Sequence, residues 1–468
     1  MTAVLGVAGA GMAVADETDF AVAVGIPNAN SGAGEVDVRM GVDCCSQLIS
    51  EQRSGMDLPG ASSARFGAAM VSHYDLNGDD NDDLLVGSPG TPGLEETDQP
   101  GRVQVFHQAP NGVLTAGAVL ENHAEPGDEF GAALAVGWKE NTETRYGVRD
   151  LWVGAPGHDV AGKVDAGAVF RYEISETGIT YVETITQDSP LVPGDAEAGD
   201  RFGEILGHAG MVGVPHEDVG TTKDAGTVLL LRKDPETDAL ILGTEWNQDT
   251  VGVPGVAEAG DHFGAALSGG AVGVPGEDIG AIKDAGIVQI LGGKAISQNS
   301  RWIPGKVETG DRFGAALSMG YRIQENDSSR GCFEIDSLAI GIPGEDVGTV
   351  KDAGSVVLTL PKLRSVNLTR GSQYCPPELL SQGHGLPGKA EAGDQLGASM
   401  GLRPGDSEHE NSQLDYLLIG VPGEDVGTTK NAGRVIYRER DVATSLGYGG
   451  GNVSGMRFGT VLTYGAAY

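Results

Sequence analysis

Seven near-copies of one short pattern run along the 468 residues, and a fold must place all seven in equivalent surroundings. A Phe-Gly pair followed by small residues stands at Phe66-Gly67, Phe130-Gly131, Phe202-Gly203, Phe263-Gly264, Phe313-Gly314 and Phe458-Gly459, and Leu396-Gly397 is a seventh, variant copy. Downstream of the internal copies an apolar run ends in Gly-x-Pro, within 86–89, 153–156, 212–215, 272–275, 340–343 and 419–422. Ala-Gly and a β-branched run follow, as in AGAVFRY at 166–172 and AGTVLLL at 225–231. Short apolar runs separated by Gly and Pro turns read as antiparallel strands. Successive Phe-Gly positions are 64, 72, 61, 50, 83 and 62 residues apart, which is room for four short strands per copy.

The two ends complete the count. The chain opens with a Gly-x-Pro strand that no Phe-Gly precedes, DFAVAVGIP at 19–27, and closes with a Phe-Gly strand that no Gly-x-Pro follows, RFGTVLTYGAAY at 457–468. Joined in space, the two halves make one more repeat. The expected fold is therefore all-β: a seven-bladed β-propeller of four-stranded antiparallel blades, one blade closed by N- and C-terminal strands together. Closure leaves no free sheet edge around the ring. Small residues after each Phe-Gly suit inner strands that converge on an axis. Each Phe is expected to wedge between neighbouring blades, its burial contributing roughly 2–3 kcal/mol. The following Gly permits a close backbone approach or a positive φ.

Together these residues resemble FG-GAP repeats, the blades of integrin alpha-subunit head domains and of many secreted bacterial proteins. The resemblance covers residues 19 to 468 and implies the propeller fold. It does not choose among adhesion, ligand binding and enzyme scaffolding, all of which such propellers serve.

One loop carries the residues of a metal site. In HYDLNGDDNDDLLVGSP, oxygen-bearing side chains stand at every second position: Asp75, Asn77, Asp79, Asn81 and Asp83. A hard cation such as Ca²⁺ takes six to eight oxygens, and a loop wrapped on itself can turn alternate residues inward. Asp75, Asn77, Asp79 and Asp83 are assigned as side-chain ligands and Asn81 as a backbone-carbonyl ligand. The frame lacks the Gly and Glu of an EF-hand. It matches the calcium loop of FG-GAP repeats, D-x-D/N-x-D-G-x-x-D, except that Asp80 replaces the Gly. The alternative is a solvated acidic hairpin. No other copy repeats the frame, and Phe-Gly to Gly-x-Pro shrinks to 11 and 10 residues in the copies at Phe202 and Phe263.

A second loop recurs after Gly-x-Pro: GHDVAGKVDAG at 157–167, HEDVGTTKDAG at 216–226, GEDIGAIKDAG at 276–286, GEDVGTVKDAG at 344–354 and GEDVGTTKNAG at 423–433. Connectors such as PGDAEAGDRFG at 193–203 repeat as well. With strands meandering outward, these loops and connectors emerge on one face and the calcium loop on the other. The resemblance to integrin-like heads implies that the connector face binds ligand. Glu217, Asp218, Glu277, Asp278, Glu345, Asp346, Glu424 and Asp425 are the ligand-face candidates, as an anionic surface for a cationic partner or bridging ions. The competing reading is structural: Asp accepts backbone N–H groups in turns, and Lys/Asp pairs such as Lys351 and Asp352 lie on solvated surface.

Composition narrows the partners. With 31 Lys and Arg against 66 Asp and Glu, a net charge of −35, the chain is a poor match for nucleic acid or anionic lipid. No apolar run reaches the ~20 residues of a membrane helix. Residues 1–15 read as a truncated secretory signal, with Ala13-Val14-Ala15 before Asp16 in the A-x-A form but no basic segment, or else as a merely apolar tail. Residues 16–468 form a single propeller domain. Cys44, Cys45, Cys332 and Cys375 permit three pairings or none, and Asn326, Asn367 and Asn452 head N-x-S/T sequons.

Catalysis finds little support in the residues. Gly397-Ala398-Ser399-Met400-Gly401 matches G-x-S-x-G, yet it lies in an inner strand where sister copies carry Ala133, Ala266 and Ala316. The expected function is a secreted, calcium-stabilised, monomeric propeller binding or adhering to an extracellular protein or glycan, in solution or on the cell wall. The alternative is an extracellular hydrolase or a non-catalytic subunit of one, and a third reading is a structural surface-layer or spore-coat component.

Overall fold

The computed structural model describes residues 22–39, 46–51, 64–79, 81–90, 100–138, 149–175, 178–234, 236–321, 336–359, 377–403, 416–439, 442–448, 451 and 453–463. The proposed signal, the four cysteines, the three sequon asparagines and Asp80 lie outside them.

The described strands form seven antiparallel sheets, each a meander of four. Blade 2 runs through Ala69–Tyr74, Asp83–Ser88, Arg102–Gln108 and Leu114–Val119, and blades 3 to 7 follow in chain order, with inner strands Ala133–Trp138, Ile205–Leu206, Ala266–Ser268, Ala316–Tyr321 and Met400–Arg403. Blade 1 takes its inner strand, Val461–Thr463, from the C-terminal end and its other three, Val22–Ile26, Glu35–Arg39 and Ser46–Ile49, from the N-terminal end. Val461–Thr463 pairs with Val22–Ile26 in the register Ala23↔Thr463, Val24↔Leu462 and Gly25↔Val461. Blade 6 gains a two-residue parallel strand, Gly385–Leu386, at its outer edge. Each inner strand lies beside those of both neighbouring blades, and the circuit closes. The expected propeller, with a blade shared between the two ends, is the observed one.

Its core is divided. Buried apolar side chains gather in one cluster at each of the seven seams between adjacent blades. At the seam of blades 3 and 4, Ala135, Trp152 and Val169 of one sheet meet Val212, Leu229 and Leu231 of the next, with Phe202 between them. The six Phe of the repeat are at most 1% exposed, and Leu396 occupies the same place at the seam of blades 6 and 7. Second strands such as Val22–Ile26 are buried on both faces, which is why they read as unbroken apolar runs.

Two backbone contacts fix each seam. The N–H of the wedge residue donates to the residue before the Gly of the preceding blade's Ala-Gly: Phe202 N to Ala166 O at 3.0 Å, Phe313 N to Ala285 O at 3.0 Å, Leu396 N to Ala353 O at 3.1 Å and Phe458 N to Ala432 O at 3.0 Å. Behind the wedge, the Gly of Gly-x-Pro abuts the carbonyl of the next blade's Phe-Gly. A Cβ on Gly154 would overlap Gly203 O, and Gly25, Gly87, Gly213, Gly273, Gly341 and Gly420 face Gly67, Gly131, Gly264, Gly314, Gly397 and Gly459 in the same way. The Phe-Gly glycine also needs a left-handed φ, +95° at Gly203.

Gly154→Ala should therefore be far more destabilising than the usual helix or loop Gly→Ala change, because backbone of two blades must separate. Phe202→Ala, which leaves a cavity at the same seam, should cost about 3–5 kcal/mol. Chemical denaturation of both variants checks this; a Gly154→Ala protein as stable as wild type would show that the seam is looser than described.

Candidate functional site

The loop joining the first two strands of blade 2 is held by its own side chains. Asp75 Oδ1 accepts from the N–H groups of Asn77, Gly78 and Asp79 at 3.2, 2.6 and 3.2 Å. Asp79 Oδ1 accepts from Asn81 N at 2.9 Å, and Asn77 Nδ2 reaches Asp79 Oδ2 at 3.2 Å. Asp83, buried at the start of the second strand, accepts from Leu76 N at 2.9 Å and Gln108 N at 3.1 Å and lies 3.1 Å from His107 Nδ1. Slight burial would raise the Asp79 carboxyl, but the hydrogen bonds from Asn81 and Asn77 and nearby His107 outweigh it and hold it low. Burial pushes the Asp83 carboxyl up, against the hydrogen bonds it accepts. Three carboxylates and two carboxamides within nine residues form an all-oxygen donor set that suits a hard cation. Among the described residues, no three His, Cys, Asp or Glu side chains are grouped closely enough to hold a metal ion by themselves.

On the opposite face, loops and connectors of neighbouring blades are knitted together. Connector glycines donate to the preceding blade's loop, as Gly260 N to Lys223 O at 3.0 Å, Gly310 N to Lys283 O at 2.9 Å and Gly393 N to Lys351 O at 3.0 Å. Within each Glu-Asp pair the two acids have separate work. The Asp caps its own loop, with Asp278 Oδ1 accepting from Asp284 N at 3.0 Å and Asp346 Oδ1 from Asp352 N at 3.1 Å. Its other oxygen pairs with an exposed lysine: Lys283 with Asp278, Lys351 with Asp346 and Lys430 with Asp425. Lys351 thus reaches back five residues and not to adjacent Asp352. Asp218 caps Asp224 N at 2.9 Å, while Lys223 lies 3.6 Å from Asp224.

The Glu of each pair turns inward and takes a hydrogen bond from a glutamine of the preceding blade. Gln187 Nε2 donates to Glu217 at 2.7 Å, Gln248 to Glu277 at 2.5 Å, Gln298 to Glu345 at 2.6 Å and Gln382 to Glu424 at 2.7 Å. A buried connector Asp lies beside each, accepting from the backbone three residues earlier, as Asp200 from Glu197 N at 2.5 Å and Asp394 from Glu391 N at 2.6 Å. Burial, reinforced by neighbouring carboxylates, pushes Glu217 up to about 8 and Glu345 up to about 7, and raises Glu277 and Glu424. It likewise lifts Asp200 and Asp311 to about 6 and Asp261 and Asp394 to about 7. Blade 3 departs from the others: His158 replaces the Glu and meets Asp128 at 2.8 Å, a bond that raises the histidine.

The outward acids of this face include Glu197 and Glu258, exposed in the connectors, with Glu308 and Glu391 half-exposed at the equivalent positions. Their signal in sequence is the recurring EAGD or ETGD, its Glu five residues before the wedge, which the candidate list above omits. Ser399, the centre of G-x-S-x-G, donates its Oγ to Gly459 O at 2.5 Å across a seam, a packing contact between inner strands.

A seven-bladed propeller whose seams are built from Phe-Gly and Gly-x-Pro defines the class of the protein: a β-propeller of FG-GAP-type repeats. Comparison with known proteins agrees. The chain is 37% identical to mouse integrin alpha-M over 98 residues, 20% of this chain and 8% of that protein. It is 30% identical to Xenopus laevis integrin alpha-5 over 161 residues, 33% of this chain and 14% of that protein. These matches and the architecture make the chain an integrin-alpha-like propeller, covering a small part of its relatives' length. No family model matches the chain.

The buried acids give stability a defined pH dependence. Carboxyls raised in the fold above their unfolded values stabilise it below pH ~4.5 and lose that contribution as pH climbs through 6 to 8. His158, raised by Asp128, acts in the same direction. Tm should therefore fall between pH 5 and pH 8.5. Glu217→Gln should flatten part of that slope and gain about 1–3 °C over wild type at pH 8.5. A Tm that rises over this range in thermal melts would contradict the assignment.

Proposed function

We propose that this protein is a calcium-stabilised propeller that works outside the cell as a binding or adhesion module for a protein or glycan. The observation that carries the reading is the knitted face. Loops and connectors of successive blades interlock by backbone hydrogen bonds into one broad, regular platform, acidic in its exposed connector residues. Such a surface suits recognition of an extended partner with basic groups. The similarity to integrin alpha chains supports an extracellular binding role. Among the described residues, no helix is long and apolar enough to cross a membrane.

Calcium would be held by Asp75, Asn77, Asp79 and Asp83 through side chains and by Asn81 through its carbonyl. When bound, the ion would neutralise carboxylates crowded at the first hairpin of blade 2. The ligand-face acids Asp218, Asp278, Asp346 and Asp425 keep a loop-capping oxygen in either case. Glu217, Glu277, Glu345 and Glu424 would act on partners through the packing beneath the platform.

Two measurements test this reading. Calcium at about 100 times its Kd should add about 2.7 kcal/mol of stability, and chelator or Asp79→Ala should remove that gain. A melt indifferent to calcium, with Asp79→Ala indistinguishable from wild type, would remove the ion from the proposal. Immobilised protein should also retain a partner from extracellular and cell-wall extract, in a manner sensitive to salt. Failure to retain any partner, by protein that remains folded, would overturn the binding role.

A further inference from the structure

Every inner strand is preceded by a residue held in the left-handed region, immediately before the wedge. The seven are Arg65, Glu129, Arg201, His262, Arg312, Gln395 and Arg457, with φ between +55° and +60°. Each closes the same turn, its carbonyl accepting from the N–H three residues on, as Ala68 N to Arg65 O at 3.0 Å and Thr460 N to Arg457 O at 3.2 Å. Equivalent backbone in all seven blades makes these side chains a ring around the axis on the connector face. A chain that carries 31 basic residues against 66 acidic ones places four arginines and one carboxylate there.

Two pairs of neighbouring members touch, and both in the same direction. Arg201 of blade 4 reaches back to Glu129 of blade 3, Nη2 to Oε2 at 2.9 Å. Arg457 of blade 1 reaches back to Gln395 of blade 7, Nη2 to Oε1 at 2.6 Å. The same step from Arg65 of blade 2 leads to Arg457, and from Arg312 of blade 6 it leads to His262. At the position where the ring gives Arg201 a carboxylate, it gives Arg65 another arginine as its neighbour in blade order. Among the described residues, the side chain of neither Arg65 nor Arg312 makes a hydrogen bond or ion pair. The acid preceding Arg312, Asp311, is 1% exposed and turned to Glu308 N at 2.5 Å. Ala64 and Met456 precede Arg65 and Arg457, so the seam of blades 1 and 2 has no such acid at all.

We propose that the ring is an oxyanion site at the mouth of the propeller axis, in which a carboxylate, sulfate or phosphate group sits between Arg65 and Arg457 in the role that Glu129 has beside Arg201. Guanidinium groups bind such oxygens in forked, charge-assisted geometry. The acidic platform around the ring would turn away extended polyanions and admit a single anionic group. The inference deepens the binding role proposed above and rests on it for biological meaning, but the ring can be tested without any macromolecular partner.

Sulfate, phosphate and citrate are titrated into the full chain against chloride at matched ionic strength, and binding is read by calorimetry and by Tm. Saturable binding is expected, weakened about ten- to a hundredfold in Arg65→Gln. Gln395 occupies the same backbone position in blade 7, so the variant has a precedent in the fold. Lys306→Gln, which removes an exposed charge on a connector, should bind as wild type. Preference for citrate would point to an acidic side chain of a partner, and preference for sulfate or phosphate to an esterified ligand. Unsaturable stabilisation, as sulfate gives any protein by exclusion, or equal binding by Arg65→Gln and wild type, would overturn the site. Anion binding with no partner captured would leave the ring standing and the adhesion role refuted.

Discussion

The ring depends on one contact between backbones: the glycine of each Gly-x-Pro against the carbonyl of the next blade's Phe-Gly. No side chain fits between them, at Gly154 and Gly203 or at any of the six sister seams. That approach brings the wedge residue within hydrogen-bonding distance of the preceding blade's Ala-Gly and seats its ring in the apolar cluster. Backbone proximity, the wedge and the cluster are therefore one device repeated seven times. Each sheet buries apolar surface on both sides only because a neighbour stands at each side, so the first and last blades must meet. The pairing of Val461–Thr463 with Val22–Ile26 supplies that meeting and leaves the circuit without an edge.

Close seams have an electrostatic consequence. The loop after each Gly-x-Pro is pressed against its neighbour's connector, and acids that sequence alone would leave in water lie between them. Glutamines 187, 248, 298 and 382 donate to the inward glutamates, yet the Oε1 atom of each is buried without a partner. A buried unsatisfied acceptor costs about 1–3 kcal/mol, and a second carboxyl nearby adds to the penalty. Burial at the seam must offset these costs. His158 with Asp128 in blade 3 is a different solution to the same crowding, an ion pair in place of two acids.

Architecture was legible in the chain because the contacts that define it demand particular residues at fixed spacing: no Cβ at Gly154, an apolar wedge at Phe202, a partner half-repeat at each end. The loop at Asp75–Asp83 was legible for the same reason, since alternate oxygens have few other uses. The acidic platform was legible only as a list of residues. Glu217 and Asp218 are adjacent, yet one caps nothing and faces inward while the other caps its loop. That division follows from a glutamine 30 residues earlier in another blade, which no local pattern in the loop announces. Lys351 could pair with Asp346 or Asp352, and the loop's curl decides for Asp346.

The same logic identifies where a symmetric scaffold can acquire specificity. The paired glycines at the seams cannot take a side chain without opening the ring, so they are the same at all seven and carry no information about a partner. The residue before the wedge is different. Its backbone is fixed by the turn, near φ +55° in every blade, but its side chain is no part of the apolar clusters and is Arg, Glu, His or Gln on the same turn. A ring of seven such positions is a surface that substitution can tune one member at a time. In this chain four of them are arginine, against the trend of a protein with net charge −35. Packing does not ask for arginine there, since Gln395 serves the same turn. The charge is a property of the ring's surface, and it is the feature of the connector face that its acidic surroundings least explain.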